Sequence, residues 1–369
     1  MQKPTRVLII RPSSLGDVIR TVPALVSLRR TFPQARIDWV VNDSFASAVQ
    51  HHPDLSGVVA FPRGALGLEL GGGKLNGSLA WARRNLREPA YDLVVDYQGL
   101  LRSGLMTRLT KAPRRIGYAD AREMGWLGYT QRVRVPSRHH VDRVLELTRA
   151  VTGAEPLCDL RLYADPKDRE ALERDPELAG KRYVLLAPTT RGLGRAWPVE
   201  RYSDLALHLL TRRKELGIDS IVVTGMANER EYCEPVLDQT RTILETADLL
   251  PQLGGKGEGV PAGLLVDRVG KTSISGLMAL IERASLVVCN DSAAMHMAVA
   301  FDRPLVALLG ASDVEHAGPY KRQRDVIQHK KPGERVRHRD VAAASELMRR
   351  ISVDEVAAAC EVRLKAKDL

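Results

Sequence analysis

Residues 13–18, with the sequence SSLGDV, lie between an apolar run and a helical pattern and could present a carboxylate for chemistry. Gly16 allows a tight turn. Asp17 would stand beside a helix N-terminus, where a carboxylate stays ionised and can accept a proton. Aspartate is also a favoured helix cap, so the spacing leaves two roles open for Asp17, a cap and a catalytic base.

A second candidate segment, residues 290–296 (NDSAAMH), follows a strand pattern and opens another helix. Small residues let the backbone approach a ligand, and the free amides of a helix start bind phosphate oxygens. Taken alone, Asp291 would be a cap and His296 a half-buried histidine. Together at one strand-to-helix junction they predict a phosphate or sugar site.

A third segment, residues 189–198 (TTRGLGRAWP), leaves the first strand of the second half. It carries two threonine hydroxyls, and the guanidinium groups of Arg191 and Arg195 suit a diphosphate, because arginine offers phosphate oxygens a planar fork of donors. A solvated loop is the alternative interpretation. Residues 310–313 (GASD) also leave a strand but give a weak signal.

In the first half, residues 96–103 (DYQGLLRS) leave a strand for a helix, and Arg122, His140 and Arg143 follow on polar stretches. These side chains could bind a carboxylate or phosphate of an acceptor. Each of them, taken singly, fits an ordinary surface charge as well.

The elements that must position these residues alternate between apolar, β-branched runs and helical patterns, which is typical of parallel α/β proteins. Strands are predicted at 6–11, 36–41, 92–96, 183–187, 220–224, 286–289 and 305–309, and helices at 18–31 and 202–213. Ligands of doubly wound sheets bind beyond the carboxyl ends of the strands, where the candidate segments fall. The glycine-rich residues 64–77 are predicted to form a mobile loop.

Composition fits a globular protein of two domains, since 44% of the 369 residues are hydrophobic and 27% are charged. No apolar run approaches the ~18 residues of a membrane-spanning helix, and the N-terminus has no apolar region of signal-peptide length. The four cysteines have no paired spacing, which predicts reduced thiols in a cytoplasmic protein.

The formal net charge of +10 is unevenly distributed along the chain. Residues 1–150 carry 23 Lys+Arg and 12 Asp+Glu, whereas the remaining 219 residues carry 32 and 33. A basic first half predicts an anionic partner, such as nucleic acid, a phospholipid surface or an acidic substrate. Aromatic residues make up only 5% and do not alternate with basic ones, so stacking on single-stranded nucleic acid is poorly supported.

Taken in order, these segments resemble glycosyltransferase family 9, the ADP-heptose:lipopolysaccharide heptosyltransferases, and are closest in character to its type I members. The resemblance covers nearly the whole chain and rests on residues 13–18, 96–100, 189–198 and 291–296. It implies an α/β protein of GT-B architecture, with two Rossmann-like domains whose parallel sheets face a central cleft.

The resemblance also implies a division of the chain. Residues 1–170 would form the acceptor-binding domain and 183–345 the nucleotide-sugar-binding domain. The C-terminal helix, in residues 346–369, would pack back on the first domain. Independently of the resemblance, the stretch from about Asp165 to Lys181 is charged and contains Pro166 and Pro176, which predicts a linker with some helix in it, placed at 171–182.

The family transfers a heptose from ADP-heptose to a Kdo sugar of the lipid-linked inner core, with inversion at the anomeric carbon. By this resemblance Asp17 is the general base, and Glu229 takes the approximate place of a ribose-binding acid. The implied donor-binding residues are Thr189, Thr190, Arg191, Arg195, Glu229, Thr272, Asp291, Ser292, Ala293 and His296. The implied acceptor-binding residues are Ser14, Gln98, Arg102, Arg122 and Arg143.

The expected partners are an ADP-sugar, an anionic lipid-linked saccharide and the inner face of the inner membrane, without nucleic acid, cofactor or metal. Two residues depart from the family pattern: Arg195 stands in place of a lysine, after one extra loop residue, and Ala293 in place of a glycine. These departures leave open a related enzyme with another donor or acceptor, or a non-catalytic protein that binds nucleotide-sugars or anionic lipids. A dinucleotide oxidoreductase is disfavoured because no Gly-x-Gly-x-x-Gly turn follows the first strand.

Overall fold

The computed structural model describes residues 3–62, 77, 80–246, 260–331, 333, 334, 336 and 340–366. The chain divides into two compact units, Met1–Tyr163 and Ala164–Leu369, and each contains one six-stranded sheet. Of the glycine-rich stretch predicted to be a mobile loop, residues 64–76 lie outside the described residues.

All six strands of the first sheet are parallel, in the order β3-β2-β1-β4-β5-β6. They are β1 (Arg6–Ile10), β2 (Arg36–Asn42), β3 (Gly57–Phe61), β4 (Leu93–Asp96), β5 (Arg114–Tyr118) and β6 (Gln131–Val133). Four of the five residues of the central strand β1 are fully buried, as expected for a parallel strand covered on both faces. The strands predicted at 6–11, 36–41 and 92–96 are confirmed.

The helices of the first unit cover this sheet. They are α1 (Leu15–Thr31), α2 (Leu101–Leu109) and α3 (His140–Thr152), with 3₁₀ turns at Asp43–Ala48 and Gly125–Gly128 and a π-helical turn at Arg83–Arg87. Helix α1 begins three residues before the predicted start. Ser14 is its N-cap, and the Ser14 N–H donates to the Asp17 carboxylate at 3.1 Å, which satisfies a donor at the helix start.

The second sheet repeats the topology of the first. Its strands are β7 (Tyr183–Ala187), β8 (Ser220–Gly225), β9 (Leu265–Val269), β10 (Leu286–Asn290), β11 (Leu305–Leu308) and β12 (Val326–Ile327). The order is β12-β11-β10-β7-β8-β9, all parallel, so in both units the first and fourth strands of the unit pair at the centre. The predicted α/β class with two Rossmann-like domains is therefore confirmed.

The helices of the second unit again alternate with strands. They are α4 (Pro166–Glu173), α5 (Val199–Thr211), α6 (Arg213–Leu216), α7 (Arg230–Thr246), α8 (Ile274–Arg283), α9 (Ala293–Ala300), α10 (Val314–Ala317), α11 (Val341–Arg349) and α12 (Val353–Lys365). Short 3₁₀ turns occur at Leu193–Arg195, Ala227–Glu229 and Gln323–Asp325. The helix predicted at 202–213 is α5, three residues earlier at its start.

The segment predicted to be a linker, residues 171–182, instead belongs to the second unit, which begins at Ala164. Helix α4 is fixed to α8 by a two-pronged ion pair from Arg169 to Glu282, at 2.7 and 2.8 Å. Beyond it, Arg268 binds the carboxylates of Asp175 and Glu177 at 2.6 and 2.8 Å. The charges and prolines that suggested a free linker serve these pairs and the start of α4.

The C-terminal helix has partners within the second unit, and its expected packing on the first domain stays a prediction. In the structure α12 packs on α5, and His208 bonds Glu361 at 2.8 Å. Just before α12, the carbonyl of Ile351 accepts the indole N–H of the buried Trp197 at 2.9 Å. Cys360, an inward-facing residue of α12, is completely buried in the core of the same unit.

Two further features concern the class of protein. Among the described residues, no helix combines the length and apolarity needed to cross a bilayer. All four cysteines are free thiols, of which Cys158 is exposed and the other three are buried.

Candidate active site

The Asp17 carboxylate lies at the carboxyl end of β1, in the first turn of α1. Its Oδ2 accepts from the backbone N–H and the hydroxyl of Ser14, at 3.1 and 2.9 Å. Asp17 is therefore not the N-cap, which is Ser14, but the third helical residue, whose carboxylate caps the helix start reciprocally. The capping bonds occupy one carboxylate oxygen and leave the other for different partners.

Two buried guanidinium groups hold that second oxygen. Arg20 Nη2 lies 2.5 Å and Arg11 Nη2 3.1 Å from Asp17 Oδ1. Burial raises the pKa of Asp17, but the charges of Arg11, Arg20 and His140 and the Ser14 N–H outweigh it and hold the pKa far below its usual range. The carboxylate is thus ionised at any physiological pH, and the two arginines leave one positive charge in excess beside it.

The end of β4 contributes the neighbouring groups. The carboxylate of Asp96 is fully buried and accepts from the N–H groups of Gln98 and Gly99 and from the Tyr129 hydroxyl, at 2.8, 3.1 and 2.7 Å. Burial raises the pKa of Asp96 although these bonds oppose it. Gln98 Oε1 in turn accepts the Ser13 N–H at 3.2 Å. The structure therefore brings Gln98 to the same place as Ser14 and Asp17.

The three arginines predicted to bind an acceptor have different environments. Arg102, in the first turn of α2, and Arg122 are exposed, and their guanidinium groups bond none of the described residues. The Arg122 N–H donates to the Gly99 carbonyl at 2.9 Å, which places its turn beside the end of β4.

Arg143, by contrast, is already engaged. Its Nη2 donates to both oxygens of Asp120 at 2.8 Å, and its guanidinium lies over the Tyr118 ring, 4.9 Å from the centroid. Its Nη1 donates to the Val135 carbonyl at 3.1 Å. The Arg143 guanidinium thus has protein partners, and its predicted contact with an acceptor stays a prediction.

In the second unit, the ends of β7 and β10 are joined by polar side chains. The fully buried Asn290 donates to the Pro188 carbonyl at 2.6 Å and accepts the Trp197 N–H at 3.0 Å. Thr190 Oγ1 donates to the Asp291 carbonyl at 2.6 Å. These three hydrogen bonds fasten residues 188–197 against the start of the 290–296 segment.

Asp291 is the centre of this cluster. Its Oδ2 accepts from Arg195 Nη1 at 3.2 Å and from the Ser312 hydroxyl at 2.5 Å. The Arg195 side chain stays one-third exposed, so its remaining donors are open to a ligand. Thr190, Arg195 and Asp291 are thus brought together, and the donor-binding role that the resemblance implies for them stays a prediction.

The other predicted residues of the segment begin α9. Ser292 is its N-cap, and the buried Ser292 hydroxyl has no hydrogen-bond partner among the described residues. Ala293 is the first helical residue, and His296 is buried one turn later. The free amides of this helix start are suited to phosphate oxygens.

Thr189 and Glu229 flank Gly225, the last residue of β8. A β-carbon at Gly225 would lie 3.4 Å from Thr189 Cγ2 and 3.5 Å from Glu229 Oε2. Glu229 also accepts the Met226 N–H at 2.7 Å, so it stabilises its own turn as well.

Two predicted donor residues are not joined to this cluster by a contact of their side chains. Thr272 is half-buried in the turn between β9 and α8. Two residues earlier in the same turn, the Gly270 N–H donates to the Gly225 carbonyl at 2.8 Å. Arg191 is exposed and its guanidinium bonds none of the described residues.

Sequence reasoning missed Arg11 and Arg20, and it named Asn290 and Ser312 only as members of candidate segments. Arg20 carried a usable signal, because a basic residue three positions after an acid shares its helix face. Arg11 is the first charge after the apolar run of residues 7–10. The hydrogen-bond partners of Asn290 and Ser312 are far away in sequence, so no local pattern indicated these contacts. Among the described residues there is no group of three or more His, Cys, Asp or Glu side chains placed to hold a metal ion.

Comparison with known proteins decides the family. The sequence model of glycosyltransferase family 9 (heptosyltransferase) matches residues 80–343. The chain belongs to glycosyltransferase family 9. The resemblance inferred from the motifs is therefore confirmed, and the protein is a glycosyltransferase.

Relatives of this glycosyltransferase agree with that assignment. It is 30% identical over 327 residues to lipopolysaccharide heptosyltransferase 1 of Pseudomonas aeruginosa, covering 86% of this chain and 82% of that protein. It is 27% identical over 327 residues to the Escherichia coli protein of the same name, covering 88% and 93%.

Solved structures share the fold of this glycosyltransferase. Escherichia coli ADP-heptose lps heptosyltransferase II matches with a TM-score of 0.73 and 20% identity, over 97% of this chain and 98% of that one. Escherichia coli heptosyltransferase WaaC with ADP-2-deoxy-2-fluoro heptose matches with a TM-score of 0.70 and 24% identity, over 96% and 98%. The two Rossmann-like domains of the predicted GT-B architecture are thus confirmed.

Proposed function

We propose that this protein transfers a heptose from ADP-heptose to a Kdo-type sugar of the lipopolysaccharide inner core, with inversion at the anomeric carbon. The names of its relatives and the ADP-sugar bound to a structural neighbour support the donor and the pathway. The observation that carries the mechanism is the ionised Asp17 carboxylate held at the first β–α turn by Arg11 and Arg20.

The second unit would hold the donor. As the bond from the anomeric carbon to the diphosphate oxygen breaks, negative charge develops on the leaving ADP. The open donors of Arg195 and the amides at the start of α9 stabilise that charge, a contribution that can reach several kcal/mol. Thr190 and Asn290 keep the Arg195 loop in place for this task.

The first unit would activate the acceptor. An acceptor hydroxyl oxygen forms the new bond to the anomeric carbon from the face opposite the leaving diphosphate, and its proton passes to Asp17. Because the low pKa makes Asp17 a weak base, the proton moves late, after the new bond has begun to form and has acidified the hydroxyl.

The same arginines support an acidic acceptor. Asp17 neutralises only one of the charges of Arg11 and Arg20, so an acceptor carboxylate would find a net positive environment beside the base. The exposed Arg102 and Arg122 extend that environment along the end of β4. A lipid-linked acceptor of this kind would place the enzyme at the cytoplasmic face of the inner membrane.

The test is Asp17→Asn, which keeps the side-chain size and an acceptor for the Ser14 N–H. We expect kcat for heptose transfer to fall by about 10²–10⁴ while ADP binds as tightly as to the parent, measured by calorimetry. The matched control is Asp159→Asn, another carboxylate of the first unit that pairs with an arginine, which should transfer at the parental rate.

Loss of Asp17 leaves two buried guanidinium groups without their counter-charge, so folding must be followed as well. The double variant Asp17→Asn/Arg20→Gln removes one of these charges, and it should melt closer to the parent than the single variant yet remain equally inactive. A folded Asp17→Asn protein that transfers heptose at the parental rate would remove Asp17 from the mechanism.

A related transferase with a different donor sugar is the second candidate, and Ala293 favours it. Its β-carbon, at the first position of α9, restricts how closely a donor can approach the helix start. Thermal stabilisation by ADP-, GDP- and UDP-sugars separates the two, since at equal concentration the ligand that binds more tightly raises the melting temperature more. Greater protection by a sugar nucleotide other than ADP-heptose would support this second candidate, and binding without turnover on any acceptor would indicate a non-catalytic protein.

A further inference from the structure

Exposed apolar side chains cluster in one part of the first unit. Nine large apolar side chains are exposed among the described residues, and four of them lie on helix α2 and the turn at 124–128. They are Leu101, Leu105, Met124 and Leu127, exposed by 49%, 46%, 58% and 56%. We name this group the α2 patch. Single exposed apolar residues are ordinary, but a group of four on adjoining segments indicates an interaction surface.

The two segments of the α2 patch touch through glycine backbone. A β-carbon on Gly104 would collide with the carbonyl oxygen of Gly125, and one on Gly128 would collide with that of Gly104. A β-carbon on Gly125 would lie 2.6 Å from the Leu100 carbonyl oxygen. Only glycine allows this approach, so the apolar side chains on either side of the contact form one continuous surface.

The turn itself is held in an unfavourable conformation. Both Glu123 and Met124 have left-handed backbone, with φ of 53° and 59°, which costs energy for residues other than glycine. Leu127 N–H closes the turn on the Met124 carbonyl at 3.0 Å. This conformation displays the Met124 side chain to solvent, where it gains nothing from the core of the protein.

Positive charge surrounds the α2 patch. Residues 101–138 carry nine Lys+Arg and two Asp+Glu, which accounts for most of the net charge of the chain. Arg102, Arg108, Arg122 and Arg132 are all exposed within it. Arg132 also stacks on Trp126, with its guanidinium 4.0 Å from the ring centroid. Apolar side chains mixed with arginines match a surface that offers anionic headgroups and hydrocarbon together.

We propose that the α2 patch docks this protein on a bilayer containing anionic phospholipid. Leu105, Met124 and Leu127 enter the boundary between headgroups and acyl chains, while the arginines contact phosphate. The patch adjoins Gln98 and Arg122 at the end of β4, so docking would bring the proposed acceptor side of the first unit to the lipid surface. Only this last step, which assumes a lipid-linked acceptor, rests on the proposed function.

Vesicle flotation of the whole protein tests the proposal without donor or acceptor. The parent should float with vesicles of about three parts phosphatidylcholine to one part phosphatidylglycerol, bind phosphatidylcholine alone far less, and be released by salt. Leu105→Gln/Met124→Gln/Leu127→Gln should bind the anionic vesicles about tenfold more weakly.

The matched control is Leu157→Gln/Ile243→Gln/Val362→Gln, which removes three other exposed apolar side chains, of 37%, 38% and 68% exposure, and should float like the parent. Equal binding by the patch variant and the parent, or no preference of the parent for anionic vesicles, would refute docking. A change of oligomeric state in the patch variant without a change in flotation would assign the surface to a protein contact and refute it as well.

An activity arm keeps this proposal distinct from the proposed transferase function. With a water-soluble acceptor fragment the patch variant should turn over at the parental rate, and with a lipid-linked acceptor in anionic vesicles it should be slower. Flotation uses neither substrate, so failure of the transferase reaction would leave the docking result intact, and failure of docking would leave transfer to the soluble acceptor intact.

Discussion

The two units have the same strand order, but the polar residue that ends the fourth strand of each unit makes different hydrogen bonds. In each, the first and fourth strands pair, and the last residue of the fourth strand is a buried polar side chain, Asp96 in one and Asn290 in the other. Asp96 accepts hydrogen bonds from its own loop and from the Tyr129 hydroxyl, whereas Asn290 reaches across to the loop after β7. In the first unit the loops after β1 and β4 are instead joined by Gln98, which accepts the Ser13 N–H.

Their charges differ as well. Residues 1–163 carry 24 Lys+Arg and 14 Asp+Glu, whereas residues 164–369 carry 31 of each. An anionic ligand is drawn to the first unit by its overall field. In the second unit it must be recognised by particular groups, because arginines such as Arg195, Arg230 and Arg268 are already paired with carboxylates. The comparison predicts different responses to arginine substitution in the two units.

Among the arginine substitutions, the largest loss of activity is expected in the second unit. Arg195→Ala removes the charge proposed to stabilise the leaving diphosphate and should lower kcat by about 10²–10³. The control is Arg191→Ala, which removes an exposed arginine three residues after the start of the same loop. It should lower kcat less than about tenfold. Steady-state kinetics with ADP-heptose measures both. Equal losses for the two variants would mean that recognition there depends on general charge, as in the first unit.

An intermediate effect, dependent on pH, is expected from Arg20→Gln in the first unit. Arg20 helps to hold the pKa of Asp17 low, so its loss raises that pKa toward the ordinary range. The parent should show no loss of activity from Asp17 protonation between pH 8 and 4. The variant should lose activity on the acid side only as pH falls toward the ordinary carboxyl range, by about twofold at pH 4 relative to pH 8.

The pH dependence of folding stability should change in the same direction as the pH dependence of activity. A carboxyl group whose pKa is lower in the folded protein stabilises it above the unfolded pKa, near 4, and that contribution is lost as pH falls through the folded pKa. Acid unfolding of Arg20→Gln should therefore begin at higher pH than that of the parent, followed by circular dichroism. A pH profile of Arg20→Gln that overlays the parent would show that Arg20 does not control Asp17.

The smallest effect should come from Arg143→Gln. This variant loses the pair with the exposed Asp120 and the contact with the Tyr118 ring, so stability should fall by about 1 kcal/mol. Transfer should change less than about threefold, since the guanidinium is occupied within its own unit. Arg122→Gln, which removes an open guanidinium, should instead raise KM for the acceptor. A higher acceptor KM for Arg143→Gln than for Arg122→Gln would reverse these assignments.

Elements and motifs built from neighbouring residues could be predicted from the sequence. The strand at 6–10, the turn at Ser14 and the helix after it follow one another directly, and their apolar and capping patterns are local. The pairing of Thr190 with Asp291 was anticipated only because both segments leave strands, and parallel strands end at the same edge of a sheet.

What could not be predicted depends on distant partners. Arg143 was predicted to bind an anionic acceptor, and nothing near it in the sequence indicated that its guanidinium would pair with Asp120. Residues 171–182 were predicted to be a linker because they are highly charged. Two of these charges pair with Arg268, which lies about 90 positions away in the sequence, so no local pattern indicated the pairing. The position of the C-terminal helix was inferred by resemblance alone, whereas its apolar face fits the core of the second unit.

The bond from the Trp197 indole to the Ile351 carbonyl ties the segment before α12 to the loop that carries Arg195. Arg195 stands two residues before Trp197, so this segment supports the loop that we propose to face the donor phosphates. A variant shortened at residue 350 would leave a buried indole N–H without its acceptor and would loosen the Arg195 loop. Docking of α12 and affinity for the proposed donor should therefore be lost together.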